Sequence, residues 1–205
     1  MKERIITYAE KYRTMLSRFF AVLLLVPLIF STHSFGHNSL LDLSFEVSGI
    51  FLVGIAAFGR LWASLYISGH KTHSLVMTGP YSMVRNPLYF FSFIGAIGLG
   101  LLSENIVVLG LLFLLFVLYY PLVMMAEEKK LLSIHGEEYR QYMKRVPRFI
   151  PKIDLLVEPP TVTVQTIIYR KTFFDAIWFV WLYIPLLIIE RLHDLQILPV
   201  LFRVP

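Results

Sequence analysis

Long apolar runs, separated by short polar passages, dominate the 205 residues of this chain. Five such runs are evident, at about 16–35, 43–67, 88–102, 106–125 and 173–189. A helix of about 20 apolar residues crosses a bilayer, so the run at 88–102 is short for a span. The pattern predicts an all-α integral membrane protein with about five transmembrane helices.

The composition agrees with that class. Hydrophobic residues make up 57% of the chain and charged residues only 16%, whereas soluble domains carry about 25% charged residues. A single soluble core of this length could not bury so much apolar surface. The chain has no cysteine, which excludes disulfides, thiol nucleophiles and cysteine-ligated metals.

Lysine and arginine predict the orientation. They occur in the N-terminal segment, in the loop at 68–87 and after residue 125, but not at 32–42 or 103–105. Because short cytoplasmic loops are rich in these residues, we place the N-terminus and both basic passages in the cytoplasm, and we expect a bacterial inner membrane. The first eighteen residues read as an amphipathic interfacial helix, not a cleaved signal. Anionic lipids explain the net charge of +5 better than nucleic acid does.

The first polar passage is TGPYSMVRNPLY, residues 78–89, which we call the motif loop. Gly79-Pro80 is a turn dipeptide, and Asn86-Pro87 forms a second bend that starts a helix. The bends present four side chains at the membrane surface: Tyr81, Arg85, Asn86 and Tyr89. A purely structural interpretation, with arginine at lipid phosphate and tyrosines in the aromatic belt, is the alternative to a binding role.

The second polar passage, residues 126–151, begins with the adjacent carboxylates Glu127 and Glu128. Neighbouring helical residues point about 100° apart, so one carboxylate should face inward and the other should remain near solvent. A break is predicted at His135–Gly136. Beyond it, Tyr139, Tyr142, Arg145 and Arg148 are expected to dock the segment on the membrane, or to bind an anionic lipid specifically.

Arg60 lies inside the second apolar run. An ionisable residue in a membrane helix is a candidate for contact with substrate or cofactor, and snorkelling of its side chain to the interface is the alternative. The histidines are scattered and lack the spacing of metal ligands, so no metal site is predicted.

Taken together, HSLVMTGPYSMVRNPLYF and EEKKLLSIHGEEYRQYMKRVPRFIP resemble the isoprenylcysteine carboxyl methyltransferase and phospholipid methyltransferase superfamily. The resemblance covers about residues 73–151 and implies a membrane enzyme that uses S-adenosylmethionine in a cytoplasmic-side pocket. A distant similarity to sterol reductases keeps an NADPH-dependent lipid reductase open, and a non-catalytic membrane protein is a further alternative. By position, the superfamily's cofactor contacts fall on His73, Leu75, Val76, Tyr81, Asn86, Pro87, Tyr89 and Glu127.

The resemblance divides the chain into three parts. Residues 1–72 hold the interfacial helix and two membrane helices, 73–151 the methyltransferase core, and 152–205 a linker and a C-terminal membrane helix. We expect a methyl group to be transferred to the polar end of a lipid-like substrate within the bilayer, with Arg85, Asn86 and Arg60 as candidate catalytic residues.

Two departures from the superfamily pattern affect the choice of acceptor. Asn86 stands where a histidine is usual and cannot act as a base, and Val123 replaces the arginine that meets the substrate carboxylate in prenylcysteine enzymes. These departures favour an oxyanion such as a lipid phosphate, held by Arg60 or Arg85. A phospholipid amine or a prenylcysteine carboxylate remains an alternative acceptor.

Overall fold

A computed structural model describes residues 13–33, 40–68 and 74–204, and these form helices joined by short connections. The helices are α1 (Arg13–Phe30), α2 (Leu40–Ile67), α3 (Pro80–Met83), α4 (Pro87–Leu102), α5 (Ile106–Leu118), α6 (Tyr120–Arg145), α7 (Thr166–Ala176) and α8 (Trp178–Asp194). A short 3-10 helix spans Ile153–Leu155. Two three-residue strands, β1 (Ser31–His33) and β2 (Phe202–Val204), pair in parallel.

Three helical stretches are long and apolar enough to cross a membrane: Leu40–Ile67, Ile106–Arg145 and Thr166–Asp194. The 16-residue α4 is a shorter apolar helix. Large apolar side chains also point outward, as in Phe51 and Phe58, which are 68% and 76% exposed. Because such exposure suits lipid and not water, the predicted all-α integral membrane class is confirmed.

Helices α2 and α4 pack closely through small residues. A Cβ atom on Gly98 would lie 2.9 Å from the carbonyl oxygen of Gly49, and one on Gly95 would lie 2.9 Å from the Cβ atom of Ala56. Membrane helices commonly approach each other through such small residues. Helix α8 packs against this pair, with Leu182 and other apolar residues on the cluster of Val53, Leu99 and Leu102.

The helix bounds differ in part from the predicted runs. Helix α1 ends at Phe30, five residues earlier than expected, because the chain enters β1. The predicted interfacial helix falls mostly on residues 1–12, which lie outside the described residues, and 13–18 form the first turns of α1 itself. The C-terminal helical stretch begins at Thr166, before the predicted run. The predicted break in α6 is confirmed, since Gly136 has φ 53° and ψ −121°.

Candidate cofactor and acceptor site

The motif loop takes its shape from two bends, one at Gly79-Pro80 and one at Asn86-Pro87. Gly79 has a φ of 59° and a ψ of −137°, a backbone region that is nearly restricted to glycine and costs other residues about 1–3 kcal/mol. A Cβ atom there would also overlap the ring of Tyr66. Pro80 then begins α3 and Pro87 begins α4, where a missing amide donor is tolerated and the proline ring fixes φ. The loop is therefore a rigid support for the side chains between the bends.

Residues 146–157, which we call the strap, return from the end of α6 to the motif loop. The Arg85 amide donates to the Pro147 carbonyl at 2.9 Å, and the Lys152 amide donates to the Met83 carbonyl at 3.1 Å. Near the end of the strap, Gly79 donates to the Val157 carbonyl at 2.8 Å, and the Val157 amide donates to Ser82 Oγ at 2.9 Å. The strap thus joins the two polar passages through backbone hydrogen bonds.

A buried ion cluster reinforces this junction. The Glu128 residue is only 5% exposed. Its Oε1 lies 3.0 Å from Arg85 Nε and its Oε2 lies 2.8 Å from Arg148 Nη2. Asn86 Nδ2 donates to Glu128 Oε1 at 3.3 Å and to the Arg148 carbonyl at 3.0 Å. A buried carboxylate with several charge-assisted partners fixes the surrounding backbone, so Glu128 is a structural anchor of the site.

Glu127, the neighbouring carboxylate, is exposed and lines a cavity. The Tyr89 hydroxyl donates to Glu127 Oε1 at 2.9 Å. As the helical spacing predicted, one carboxylate of the pair is buried and the other is accessible. The sequence alone did not show which of the two is buried.

The cavity has a volume of about 470 Å³ and is enclosed mainly by α2, the motif loop, α4 and α6. That volume falls within the range of about 300–1,000 Å³ typical of small-molecule and cofactor sites. The cavity lining includes the predicted site residues that the structure describes: Arg60, Leu75, Val76, Tyr81, Arg85, Asn86, Pro87, Tyr89 and Glu127. His73, the remaining predicted contact, lies outside the described residues. The structure thus brings predicted site residues that are as far apart in the sequence as Arg60 and Glu127 together around one cavity.

Sequence reasoning missed further lining residues, among them Ser92, Tyr120 and Lys130. Helical spacing could have indicated all three. Ser92 follows Tyr89 by three residues, and Tyr120 precedes Glu127 by seven, so each pair shares a helix face. The same spacing marks Lys130, which follows Glu127 by three residues.

Tyr81 places a buried hydroxyl at the cavity. The residue is 6% exposed, and its hydroxyl has no hydrogen-bond partner among the described residues. Burial, and after it the nearby Tyr142 and Glu127, raises the pKa of Tyr81 well above its ordinary value. The hydroxyl therefore remains protonated as a donor, and since buried polar groups nearly always have partners, it fits an acceptor atom of a bound molecule.

Arg60, on α2, is the candidate catalytic residue that comes from outside the two polar passages, and it also lines the cavity. Its Nη1 donates to Ser92 Oγ, and its Nη2 donates to the Asp175 carbonyl at 3.2 Å. The guanidinium carbon lies 5.5 Å from the centroid of the Phe179 ring. Nε has no hydrogen-bond partner among the described residues. Arg60 therefore contacts other helices inside the protein, in contrast to a snorkelling arginine.

Comparisons with known proteins support the superfamily resemblance that was based on the two polar passages. A family model described as phospholipid methyltransferase matches residues 47–138. The chain is 34% identical over 199 residues to the nickel-cobalt-cadmium resistance protein NccN of Alcaligenes xylosoxydans xylosoxydans, covering 97% of this chain and 92% of that protein. It is 39% identical over 84 residues to the protein-S-isoprenylcysteine O-methyltransferase of Schizosaccharomyces pombe, covering 41% of this chain and 36% of that protein. The chain belongs to the isoprenylcysteine carboxyl and phospholipid methyltransferase superfamily.

A third relative is also a metal-resistance protein by name. The cobalt-zinc-cadmium resistance protein CzcN of Cupriavidus metallidurans is 37% identical over 150 residues, covering 73% of this chain and 69% of that protein. No solved structure matches the chain. Among the described residues of this membrane methyltransferase, no group of three or more histidine, aspartate or glutamate side chains is placed to hold a metal ion.

The prediction that the end of α6 docks on the membrane is wrong for Tyr139 and Tyr142. They are 2% and 3% exposed and pack with Val146. The Tyr142 hydroxyl donates to the Tyr81 carbonyl at 2.6 Å. Arg148 pairs with Glu128 while its side chain stays partly exposed. The two tyrosines pack inside the protein, so in this methyltransferase they hold the motif loop in place.

Two of the candidate catalytic residues are largely engaged by the protein. Arg85 lines the cavity, but its Nε faces Glu128 and its Nη1 donates to the Met143 carbonyl at 2.8 Å. The side-chain amide of Asn86 donates to Glu128 and Arg148. The Nε atoms of Arg60 and Arg85 both lack a hydrogen-bond partner in the described structure, but Arg85 Nε faces the Glu128 carboxylate, whereas no ion pair with a carboxylate is formed by Arg60 among the described residues.

Proposed function

We propose that this protein transfers a methyl group from S-adenosylmethionine to an oxyanion on the polar end of a lipid-like molecule. Superfamily membership supports the reaction type. The cavity supports the substrates, because it is lined both by Glu127, in the basic passage that we place on the cytoplasmic side, and by Arg60, within the apolar helix α2. The observation on which the choice of acceptor depends is the position of Arg60, a cation without a carboxylate ion pair among the described residues.

The residues of the cavity fit the cofactor. Glu127 can accept hydrogen bonds from ribose hydroxyls or an ammonium group, and Tyr81 can donate to a carboxylate or a ring nitrogen. The aromatic ring of Tyr89 suits a sulfonium cation, and Leu75 and Val76 provide an apolar wall. When bound, S-adenosylmethionine supplies an electrophilic methyl group: the acceptor oxygen forms the new C–O bond while the C–S bond breaks and its electrons remain on sulfur.

In this proposal, Arg60 takes the role of the arginine that meets the substrate carboxylate in prenylcysteine enzymes, where this chain has Val123. Val123 is not among the residues that line the cavity, and a cation reaches the cavity from α2 instead. Arg60 lies seven residues before Ile67, the last residue of α2, which places it about 10 Å from that helix end. An acceptor held there would have its headgroup just inside the membrane boundary and its tail among the lipids.

The chemistry required of the side chains is mainly positioning and exclusion of water. Alignment of reactants supplies several kcal/mol of the barrier reduction, about 7–11 in favourable cases, and a dry site strengthens charge interactions. An amine acceptor would first have to lose a proton, and no histidine lines the described part of the cavity. A phosphate or carboxylate oxygen needs no base. The proposed path has the cofactor entering from the cytoplasm and the acceptor laterally from the bilayer.

An oxyanion acceptor also offers a connection with the names of the relatives. NccN and CzcN are named for resistance to divalent metal ions. Methylation of a lipid phosphate would remove a negative charge from the membrane surface, and that charge attracts cations. The proposed reaction would thus weaken the attraction of divalent cations to the lipid surface.

The test is incubation of the purified protein in lipid nanodiscs with lipid extract and S-adenosylmethionine labelled in its methyl group. We expect a labelled methyl ester of an acidic lipid, identified by mass, and a much lower yield with Glu127→Gln. Binding of NADPH without binding of S-adenosylmethionine would identify a reductase instead. A labelled amino lipid would retain the methyltransferase activity but contradict the oxyanion acceptor.

A further inference from the structure

We infer that the C-terminal helical stretch α7–α8, whose two helices are separated only by Ile177, supports the acceptor site from behind Arg60, and that Phe179 is a positioning residue that sets headgroup specificity through Arg60. This inference rests on the proposed function, because it assumes that Arg60 faces the acceptor. It assigns a role to a segment that lies beyond residue 138, where the match to the family model ends.

The end of α7 provides an acceptor for the guanidinium. Helix α7 ends at Ala176, so the carbonyl of Asp175 is among those that lack the usual partner within the helix. Arg60 Nη2 donates to that carbonyl at 3.2 Å. The C-terminal end of a helix also carries a partial negative charge, which favours a nearby cation.

Phe179, near the start of α8, supports the same side chain from a second direction. Its ring packs against α4, since a Cβ atom on Gly95 would lie only 2.8 Å from Phe179 Cδ1. The guanidinium carbon of Arg60 lies 5.5 Å from the ring centroid. A cation over an aromatic face is stabilised, and this effect grows where water is excluded. The ring therefore holds Arg60 in one position without consuming a hydrogen-bond donor.

This arrangement leaves donors for a ligand. A guanidinium has five N–H donors, and the structure assigns one to Ser92 and one to Asp175. Nε has no partner among the described residues, and Arg60 lines the cavity. The planar fork of an arginine fixed in this way matches a phosphate or carboxylate, which can accept two parallel hydrogen bonds.

The comparisons are consistent with a specificity role for this C-terminal helical stretch. The match to the phospholipid methyltransferase model stops before α7, while the match to NccN extends over 97% of the chain. The cofactor half of the cavity therefore lies in the part shared with the wider superfamily. The C-terminal helical stretch lies in the part shared with NccN, where acceptor preference can differ from one branch of the superfamily to another.

The test measures headgroup discrimination and cofactor affinity separately. Full-length protein in zwitterionic nanodiscs is titrated with dodecyl phosphate, dodecanoate and dodecylamine, and separately with S-adenosylmethionine. The variants are Phe179→Leu, Phe179→Tyr, Arg60→Lys and the control Phe174→Leu. Phe174 is a suitable control because it lies on the same C-terminal helical stretch, is 60% exposed and makes its ring contact with Phe173.

We expect the unaltered protein to prefer dodecyl phosphate to dodecylamine. Phe179→Leu should weaken dodecyl phosphate binding about three- to thirtyfold, as loss of a cation–π contact predicts, and leave S-adenosylmethionine affinity unchanged. Phe179→Tyr should retain the preference, and Arg60→Lys should reduce it because lysine lacks the planar fork. Phe174→Leu should match the unaltered protein. If Phe179→Leu does not fold, Phe179→Met provides the same comparison.

Unchanged headgroup discrimination in Phe179→Leu, or an equal loss in Phe174→Leu, would overturn the role of the C-terminal helical stretch. Failure of the unaltered protein to bind S-adenosylmethionine would instead overturn the proposed function. In that case the dodecyl phosphate titrations still decide whether Arg60, supported by Phe179, forms an oxyanion site.

Discussion

Glu127 and Glu128 are neighbours in the chain but lie in different environments. Glu128 is buried between Arg85 and Arg148, whereas Glu127 is exposed to the cavity and accepts a hydrogen bond from Tyr89. The Glu128 carboxylate therefore stabilises the fold, whereas the Glu127 carboxylate is available to the cofactor. Substitution of Glu128 should mainly lower stability, and substitution of Glu127 should mainly lower cofactor affinity.

We expect Glu128→Gln to destabilise the protein strongly, because it leaves the Arg85 guanidinium buried without its counter-charge. Loss of one partner of a buried ion pair costs about 3–5 kcal/mol. Glu127→Gln should cost less than about 1 kcal/mol in stability but lower S-adenosylmethionine affinity about tenfold, since a charge-assisted hydrogen bond is lost. Unfolding midpoints in detergent and equilibrium titration give the two values, and equal effects of both variants would contradict the division of tasks.

Gly79 is the position at which the motif loop tolerates least change. Gly79→Ala combines a φ of 59° with overlap between the new Cβ atom and the ring of Tyr66. We expect a loss of about 1–3 kcal/mol, as in other overpacked sites, together with weaker cofactor binding. Gly110→Ala is the control, because no atom lies within 4 Å of a Cβ atom there. A thermal unfolding series should show a lower midpoint for Gly79→Ala and an unchanged or slightly higher one for Gly110→Ala.

At the scale of elements, the strap resembles a linker in sequence but belongs to the site. Its prolines prevent regular helix, and its backbone hydrogen bonds go to the motif loop instead. The ring of Phe149 also lies 5.8 Å from that of Phe90 and 5.7 Å from that of Phe93. The strap thereby couples the end of α6 to the start of α4.

Hydrogen exchange should reveal this coupling. The amides of Lys152 and Val157 donate to Met83 and Ser82, so we expect them to exchange much more slowly than amides at 160–165. Amide exchange read by mass spectrometry in nanodiscs distinguishes the two regions. Ser82→Ala removes the side-chain acceptor of Val157 and should speed exchange at the end of the strap. Uniformly fast exchange from 147 to 165 would show that the strap does not hold the motif loop.

At the scale of the whole molecule, the distribution of basic residues predicts that the cavity opens to the cytoplasm. The chain has no cysteine, so single-cysteine variants report sidedness without background. Leu40→Cys lies at the start of α2, where the leucine is 84% exposed. Glu137→Cys lies on α6, in an exposed pair with Arg140.

In intact cells, a membrane-impermeant maleimide should label Leu40→Cys readily and Glu137→Cys only after lysis. The physical reason is that lysine and arginine favour the cytoplasmic side of short loops. The reverse pattern would place the cofactor cavity on the outer side, where no supply of S-adenosylmethionine is expected.

The sequence by itself determined the membrane class, the approximate helical stretches and the polar passages that resemble the superfamily. Those properties depend on local patterns: the length of apolar runs, helical periodicity and the fixed dihedral angles of proline. Only the tertiary structure decided which glutamate is buried, that Tyr139 and Tyr142 pack inside, and that Arg60 contacts the C-terminal helical stretch. Arg60 and Asp175 are 115 positions apart, and contacts at such separations depend on how whole helices pack, which local patterns do not encode.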